Sequence, residues 1–490
     1  MGRRDLLLGG GIVLLGLVLR LAFAFRAPPL LEWRDSASYT LPALALLDGA
    51  GFDPELKRPP LYPLFLTFAF WVFGEDFRGP LLLQHLLGAL GAGLAYLLGV
   101  RLWGRAAGVV AGLLTALNGG LVFLEHSIMA ESLFTFLLLA TVLAAHAATR
   151  ADAKRWALTS GILLGMAALT RPGAVVVAAP LALALAWLAP GTRRRRLAIG
   201  GLALAGCLAL VLPWTIRNGV VHGTFAVAGG LGEALLYRTR HADRGFAYRE
   251  PDVRGSEDAD ARVAAARRWL YRQLPRTDQI DVLYLSVQGD FGLSQAEADR
   301  LLRQVAIEGI RQDPGRYLRT TAEMGVRLFL GWDRPMGSMW EAIGKPKIQE
   351  QWGERGAHLL GPPSPAQQRE LGAAESLLNV YDHYRVGGLL AGLFLVGLLV
   401  SLGLPRFRPA LPSALAVVIL LGLNVAVSGA ISRHRISVEP LILVVALGGV
   451  VALWELGRAL WRRVRSQEPG RYRRALALTP LPRNPHNPRH

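Results

Sequence analysis

The chain has 490 residues, of which 52% are apolar and only 18% charged, and its mean hydropathy is +0.33. This composition argues against a water-soluble protein and indicates a membrane protein. The formal net charge of +18 would also fit a nucleic-acid-binding protein, but the basic residues cluster between apolar runs, as membrane topology requires. The single cysteine, Cys207, excludes an intrachain disulfide framework and a cysteine-built metal site.

Apolar runs long enough to cross a bilayer recur along the chain. Crossing takes roughly 20 apolar residues, and we expect about ten spans. They are predicted at residues 6–25, 80–102, 106–124, 128–149, 156–171, 173–189, 196–213, 386–404, 409–430 and 438–461. The first run is expected to stay as a helix, because "AFAFRAPPL" is a poor signal-peptidase site. The predicted fold class is therefore an α-helical polytopic membrane protein.

Arginine and lysine in the short loops predict the orientation of these spans. The basic groups at Arg3, Arg101, Arg150, Arg193 and Arg406 all fall on one side if both termini are cytoplasmic. The predicted parts are an N-terminal membrane module at 1–213 with its first outer loop at 26–79, an extracytoplasmic domain at 214–385, C-terminal membrane helices at 386–465, and a disordered, basic cytoplasmic tail at 466–490.

The extracytoplasmic domain is predicted to be mainly helical. In "SQAEADRLLRQVAIEGIRQDPG", Ser294 and Glu297 form a capping-box pattern, apolar residues repeat at helical spacing, and Pro314 with Gly315 end the run. Two further stretches, 58–74 and 317–332, are too short to span. We expect both to lie in the membrane interface, the first one alternatively as a re-entrant helix.

Ionisable residues gather near the predicted outer ends of the spans, where a charge is costly unless it meets water, a partner or a ligand. They are Asp35, Arg58, Glu125, His126, Glu131, Arg171, Arg217, Arg433, His434 and Arg435. Guanidinium groups bind phosphate oxygens in pairs and keep their charge near hydrocarbon. A nearby carboxylate would act as general base on an acceptor hydroxyl. The set therefore predicts a transferase that takes a sugar from a lipid-phosphate donor.

Two of the three carboxylates of this set also fit structural roles. Asp35, with Ser36, could cap the helix that begins there. Glu131 lies in the first turn of a predicted helix, where the helix dipole favours an anion. Both readings stay open at the level of sequence.

The basic residues have structural alternatives as well. Arg20, near the outer end of the first span, is expected to snorkel to the interface, and Arg171 and Arg217 could do the same. His85 and His126 could together bind a metal, but histidines at membrane edges are more often hydrogen-bonded structural residues.

The order of six motifs carries a resemblance. "RDSASY", "KRPPLYPLF", "EHSIMAES", "ALTRPG", "PWTIRN" and "RHRISVEP" follow one another as in the GT-C glycosyltransferases that use polyprenyl-phosphate sugars. Within that superfamily the chain resembles bacterial relatives of protein O-mannosyltransferases and lipid A aminoarabinose transferases. The resemblance covers residues 1–220 and the last three spans. It implies a GT-C-type transmembrane helix bundle.

The resemblance also implies roles for single residues. An Asp followed four residues later by Tyr supplies the catalytic base, which corresponds to Asp35 and Tyr39. The basic residue before a Pro pair contacts the donor phosphate and corresponds to Arg58. Some relatives have Glu just before it as a metal ligand. Here that position is Lys57, so a divalent metal is not indicated and no cofactor is expected.

Further donor-phosphate contacts come from later in the chain. The arginine ahead of the final span corresponds to Arg433 or Arg435, and Arg171 is expected to help. The acidic residue of the second outer loop corresponds to Glu131. The predicted supporting residues are Tyr39, Glu131, Glu125 and His126.

The predicted reaction is direct displacement at the anomeric carbon, with inversion, on the extracytoplasmic face of the cell membrane. The expected partners are a polyprenyl-phosphate sugar, a lipid, glycan or protein acceptor, and membrane lipids, with no nucleic acid. Two alternatives remain. One is a ligase or polymerase of lipid-diphosphate-linked oligosaccharides. The other is a non-catalytic transporter or assembly factor, although a transporter should carry its charges near mid-membrane.

Overall fold

In a computed structural model of the chain, the described residues are 2–331 and 384–466, apart from gaps at 28, 30, 32, 53–55, 151, 244–245, 247, 250–259, 278 and 430. Within these ranges the regular structure is helical throughout, with no β-strand. The predicted tail from residue 467 and residues 332–383 of the predicted extracytoplasmic domain lie outside the described residues. The predicted fold class is confirmed.

Ten of the described α-helices lie in the N-terminal half of the chain. They are α1 (Arg3–Ala24), α2 (Trp33–Leu47), α3 (Leu61–Phe73), α4 (Arg78–Trp103), α5 (Arg105–Ala116), α6 (Gly119–Glu125), α7 (Glu131–Ala148), α8 (Ala153–Ala168), α9 (Ala178–Leu188) and α10 (Arg193–His222). A 3₁₀ helix at Pro172–Val177 leads into α9.

The remaining described helices fall into two groups. The first, called the helical insert below, comprises α11 (Leu231–Leu236), α12 (Ala261–Gln273), α13 (Ile280–Gly289), α14 (Gln295–Gln312) and α15 (Pro314–Leu330), with a π-helix at Tyr237–Ala242 after α11. The second comprises α16 (Tyr384–Gly403), α17 (Leu411–Ser428), α18 (Ser432–Ile436) and α19 (Glu439–Ser466).

Seven of the described helices are long and apolar enough to cross a membrane, or eight if the bent pair α5 and α6 is one span. The pair bends by 51° at Asn118, whose side chain caps α6 by accepting the N–H of Leu121. The predicted spans at 156–171 and 173–189 correspond to α8, with 16 residues, and to the shorter apolar segment Pro172–Leu188. The chain is a multi-pass membrane protein, and the count of about ten spans stays a prediction.

Basic loops and candidate site residues lie at opposite ends of α4. At its C-terminal end, Arg105 Nε donates to Asp5 Oδ1 at 2.6 Å, which joins the start of α5 to the start of α1. Near its N-terminal end, Gln84 Nε2 donates to the backbone carbonyls of Glu125 and Ser127, both at 2.8 Å. At α4, the bundle therefore separates a basic loop from the end where the predicted site lies.

Small residues let the membrane helices approach closely. A Cβ on Gly161 of α8 would lie 2.0 Å from the carbonyl oxygen of Ala203 in α10. A Cβ on Gly200 would lie 2.4 Å from the carbonyl oxygen of Ala182 in α9. Lipid offers no hydrophobic drive for helix association, so close backbone packing of this kind holds the bundle together.

The helical insert has a core of its own. In α14 the capping box is present, since Ser294 N–H donates to Glu297 Oε2 at 2.8 Å and Glu297 N–H donates back to Ser294 Oγ at 3.3 Å. The predicted apolar stripe of α14 is buried against α11, α12 and α13. The helix α10 continues through Pro213 to His222, beyond the predicted end of its apolar run at 213, and the domain limits stay a prediction.

Candidate active site

Asp35 lies in the first turn of α2, inside the helix rather than at its cap. Its Oδ1 accepts a hydrogen bond from Arg58 Nη2, and its Oδ2 lies 2.9 Å from Arg433 Nη2. Each carboxylate oxygen therefore meets a different guanidinium group. The structure gives Asp35 side-chain partners from distant parts of the chain, which a purely local capping role does not need.

Arg58 is fixed by three residues of α2. Besides its bond to Asp35, its Nε donates to Ser38 Oγ at 2.7 Å and its Nη1 donates to Tyr39 Oη at 3.1 Å. The guanidinium carbon also lies 4.2 Å from the centre of the Tyr39 ring. Sequence reasoning missed Ser38. The available signal was its position three residues after Asp35, which puts both side chains on one face of a helix.

A second carboxylate sits beside Asp35's partners. Glu131, the first residue of α7, has its Oε1 3.3 Å from Arg171 Nη1 and 3.7 Å from Arg433 Nε. Arg171 also hydrogen-bonds to Nδ1 of His434. Since guanidinium can only donate, that nitrogen accepts and the imidazole is neutral. Burial lowers the pKa of His434 well below its usual value, and the charges of Arg171 and Arg433 lower it further.

These residues form what is called below the arginine cluster: Asp35, Glu131, Arg58, Arg171 and Arg433. Three guanidinium groups against two carboxylates leave one net positive charge, which suits an anionic ligand. Burial alone would raise the pKa of Asp35, but Arg58 and Arg433 outweigh it and hold that pKa well below its usual value. Asp35 is therefore ionised, with its lone pairs engaged by both arginines.

Arg435 lies elsewhere. Its Nη1 donates to Glu439 Oε2 at 3.0 Å, and its Nε donates to the carbonyl of Phe329 at 3.4 Å. Its side chain is buried and joins α18 to α19 and α15. Of the two arginines that the sequence left open for this position, it is Arg433 that meets Asp35.

The structure groups Glu125 and His126 in a second cluster with Arg20. Arg20 is fully buried and binds Glu125 through two contacts, Nε to Oε2 at 2.6 Å and Nη2 to Oε1 at 2.9 Å. The snorkelling expected for Arg20 is wrong, because it finds this carboxylate and the carbonyl of Ala116, at 2.8 Å, inside the bundle. His85 lies between Glu125, at 3.3 Å, and His126, at 3.0 Å.

A series of buried contacts, one between aromatic rings and the others hydrogen bonds, joins the two clusters. The rings of Tyr39 and Tyr62 meet edge to face, with centres 4.9 Å apart. Tyr62 Oη donates to Gln84 Oε1 at 2.7 Å, and Gln84 binds the backbone of Glu125 as described above. Tyr62 and Gln84 were not predicted as site residues, although Tyr62 belongs to the "KRPPLYPLF" motif. Their buried hydrogen bonds fix α3 and α4 behind the arginine cluster.

Two further predictions concern Arg217 and a metal. Arg217 has partners on its own helix: it lies 4.8 Å from the ring centre of Trp214 and donates to Asn218 Oδ1 at 3.0 Å. Among the residues that the structure describes, no group of three or more His, Cys, Asp or Glu side chains is arranged to hold a metal ion.

Residues 57–216 match the family of dolichyl-phosphate-mannose-protein mannosyltransferases. The match confirms the resemblance drawn from the motifs. It includes Arg58, Glu131 and Arg171, whereas Asp35 and Arg433 lie outside it. No curated protein matches the chain.

The solved structures similar to this chain include those of two proteins. One is the archaeal oligosaccharyltransferase AglB from Archaeoglobus fulgidus, in complex with an inhibitory peptide and a dolichol-phosphate, at 15% identity and a TM-score of 0.47. The alignment covers 97% of this chain and 54% of that one, so this chain spans about half the length of AglB. The other is ArnT from Cupriavidus metallidurans bound to undecaprenyl phosphate, at 14% identity and a TM-score of 0.38, covering 89% of this chain and 78% of that one.

Proposed function

We propose that this chain is an integral-membrane glycosyltransferase that moves a sugar from a polyprenyl-phosphate-linked donor to an acceptor hydroxyl, inverting the anomeric carbon. The observation that carries the proposal is the carboxylate of Asp35 held between the guanidinium groups of Arg58 and Arg433. The matched family supports it, since its members are named for sugar transfer from a lipid phosphate. The roles of Asp35 and Arg433 rest on geometry, because both lie outside the matched range.

The arginine cluster supplies the parts that a direct displacement needs. The acceptor oxygen attacks the anomeric carbon while its proton passes to Asp35, the general base. The bond between that carbon and the phosphate oxygen breaks, and its electron pair leaves with the polyprenyl phosphate. Arg58 and Arg433 stabilise the charge that builds on the phosphate, and Arg171 adds positive charge beside them. A single displacement of this kind inverts the configuration.

Binding of the donor would also tune Asp35. The two arginines that hold its pKa down are the groups that would contact the phosphate. A phosphate that shares them weakens their pull on the carboxylate and adds negative charge nearby, and both effects raise the pKa of Asp35. Asp35 then becomes a stronger base once the donor is in place.

The orientation proposed is that of a protein of the cytoplasmic membrane with both termini inside and the arginine cluster facing the periplasm or exterior. It is supported by the basic residues at the end of α4 away from the cluster. The helical insert then lies on the outer side, where it would shape the cleft for a lipid, glycan or protein acceptor.

The test is transfer of labelled sugar by the full chain in liposomes, from a panel of polyprenyl-phosphate sugars and polyprenyl-diphosphate oligosaccharides. Asp35→Asn is compared with Asp290→Asn, an exposed aspartate of the helical insert, at matched abundance. We expect transfer from a monophosphate donor in the wild type and in Asp290→Asn, and its loss in Asp35→Asn. Transfer from diphosphate donors alone would favour the ligase or polymerase, and equal transfer by all three proteins would remove Asp35 from the mechanism.

A further inference from the structure

The segment Leu56–Lys57–Arg58 connects the helical insert to the arginine cluster. On the insert side, the N–H of Leu56 donates to Gln295 Oε1 at 3.1 Å. The carbonyl of Leu56 accepts the N–H of Gly229 at 2.8 Å, and the Leu56 side chain is buried. Both backbone groups of Leu56 are thus held from outside its own segment.

Lys57 adds a charged contact to the same side. Its Nζ lies 3.0 Å from Glu233 Oε2 and 3.3 Å from Oε1, with the ring centre of Tyr284 at 5.9 Å. The side chains of Lys57 and Glu233 are 24% and 16% exposed. The pair is therefore mostly shielded from water, where an ion pair fixes geometry better than at a free surface.

The next residue turns to the opposite side. Arg58 donates to Ser38, Tyr39 and Asp35 of α2. Consecutive Cα atoms are about 3.8 Å apart, so a shift of Leu56 or Lys57 also moves the backbone of Arg58. Pro59 and Pro60, which follow, stiffen the chain on the other side of Arg58.

We propose that Glu233 and Gln295 are positioning residues for Arg58. By holding Lys57 and Leu56, they set where the guanidinium of Arg58 meets the donor phosphate, and they couple the helical insert to the donor site. The kinetic part of this proposal rests on the proposed function, whereas the restraint on the segment does not. Glu233 also fixes the ammonium of Lys57, one of the positive charges that lower the pKa of Asp35.

Two variants remove the restraint, and two serve as controls. Glu233→Gln removes the charge that holds Lys57, and Gln295→Met removes the acceptor for the Leu56 N–H. Gln295→Glu keeps an acceptor oxygen at the same place. Glu308→Gln removes a carboxylate that binds Arg267 at 2.8 Å within the helical insert, so it reports general effects of loosening the insert.

Two readouts are taken on the full-length protein in detergent or liposomes. The first is the rate of trypsin cleavage after Lys57, followed by mass spectrometry. We expect it to rise several-fold in Glu233→Gln and Gln295→Met and to stay at the wild-type rate in both controls. The second is kcat/KM for the donor. We expect a fall of about tenfold in the same two variants, because small misplacements of a positioning group cost up to about 10²-fold, and recovery in Gln295→Glu.

The outcomes separate this proposal from the proposed function. Wild-type cleavage rates in both Glu233→Gln and Gln295→Met would overturn the restraint, whatever the transfer assay shows. Faster cleavage with kcat/KM equal to that of Glu308→Gln would overturn the positioning role. If the wild type transfers sugar from no donor, the proposed function and the kinetic coupling both fail, and faster cleavage in the two variants then supports the restraint alone.

Discussion

Arg433 of the short helix α18 places its Nη2 2.9 Å from Oδ2 of Asp35, which lies in the first turn of α2. The other oxygen of Asp35 is bound by Arg58. A carboxylate shared in this way is ionised and fixed in orientation, and its two partners are ready to share a phosphate.

Arg58→Lys is expected to impair transfer although the charge is kept. Arg58 reaches three acceptors of α2 at once through its planar fork, which a single ammonium group cannot reproduce. We expect kcat/KM for the donor to fall by about 10- to 100-fold, given that hydrogen bonds to charged groups are worth roughly 1.5–3 kcal/mol. Initial rates over a range of donor concentrations test this, and a value within threefold of the wild type would contradict it.

Changing Arg433 or Arg435 to Gln should have different effects, the first mainly on transfer and the second mainly on stability. Arg433→Gln removes one of two arginine partners of Asp35, so we expect a large but still measurable fall in the transfer rate with little loss of stability. Arg435→Gln removes the buried ion pair between Arg435 and Glu439, and breaking such a pair by removing one charge destabilises proteins by roughly 3–5 kcal/mol. Transfer rates and thermal unfolding of both variants test the contrast. The same effect of both changes on both quantities would refute it.

The pH dependence of kcat/KM should reflect the lowered pKa of Asp35. The ionised form is the base, and the arginines hold the pKa of Asp35 below its usual value, so the base is present at every pH above that value. We expect no acid limb from Asp35 in kcat/KM between about pH 5 and 8. In Arg433→Gln one of the lowering charges is gone, so the acid limb moves to higher pH. Profiles of kcat/KM for both proteins test this, and an unchanged limb would speak against the assignment.

The Arg20–Glu125 ion pair is expected to stabilise the fold because each buried group offsets the charge of the other. Arg20→Met removes both contacts of the buried Glu125 carboxylate with a guanidinium group and leaves its contact with His85. We expect destabilisation of roughly 3–5 kcal/mol, and a clearly smaller loss in the double variant Arg20→Met with Glu125→Gln. Unfolding in detergent measures both. A double variant as unstable as the sum of its single changes would contradict the prediction.

Much of the fold follows from the sequence because membrane helices obey local rules. Apolar runs of sufficient length predicted most of the membrane helices, although the predicted span at 106–124 is two helices bent by 51°. The capping box at Ser294 and Glu297 predicted the start of α14. The sequence also named the five members of the arginine cluster as site residues, although their chemical roles stay predictions. The end of one helix was harder to predict, because α10 tolerates Pro213 and runs on to His222.

What the sequence alone determined is the class of membrane protein, the helical insert, and the residue types that a phosphate-binding transferase needs. Only the tertiary structure decided which of these residues meet. In it, Arg433 rather than Arg435 contacts Asp35, Glu125 and His126 lie in a cluster with the buried Arg20, and Lys57 forms an ion pair with Glu233 of the insert. The physical reason is that the cost of a buried charge can be read from its residue type, whereas the partner that offsets this cost comes from a distant helix whose placement only packing fixes.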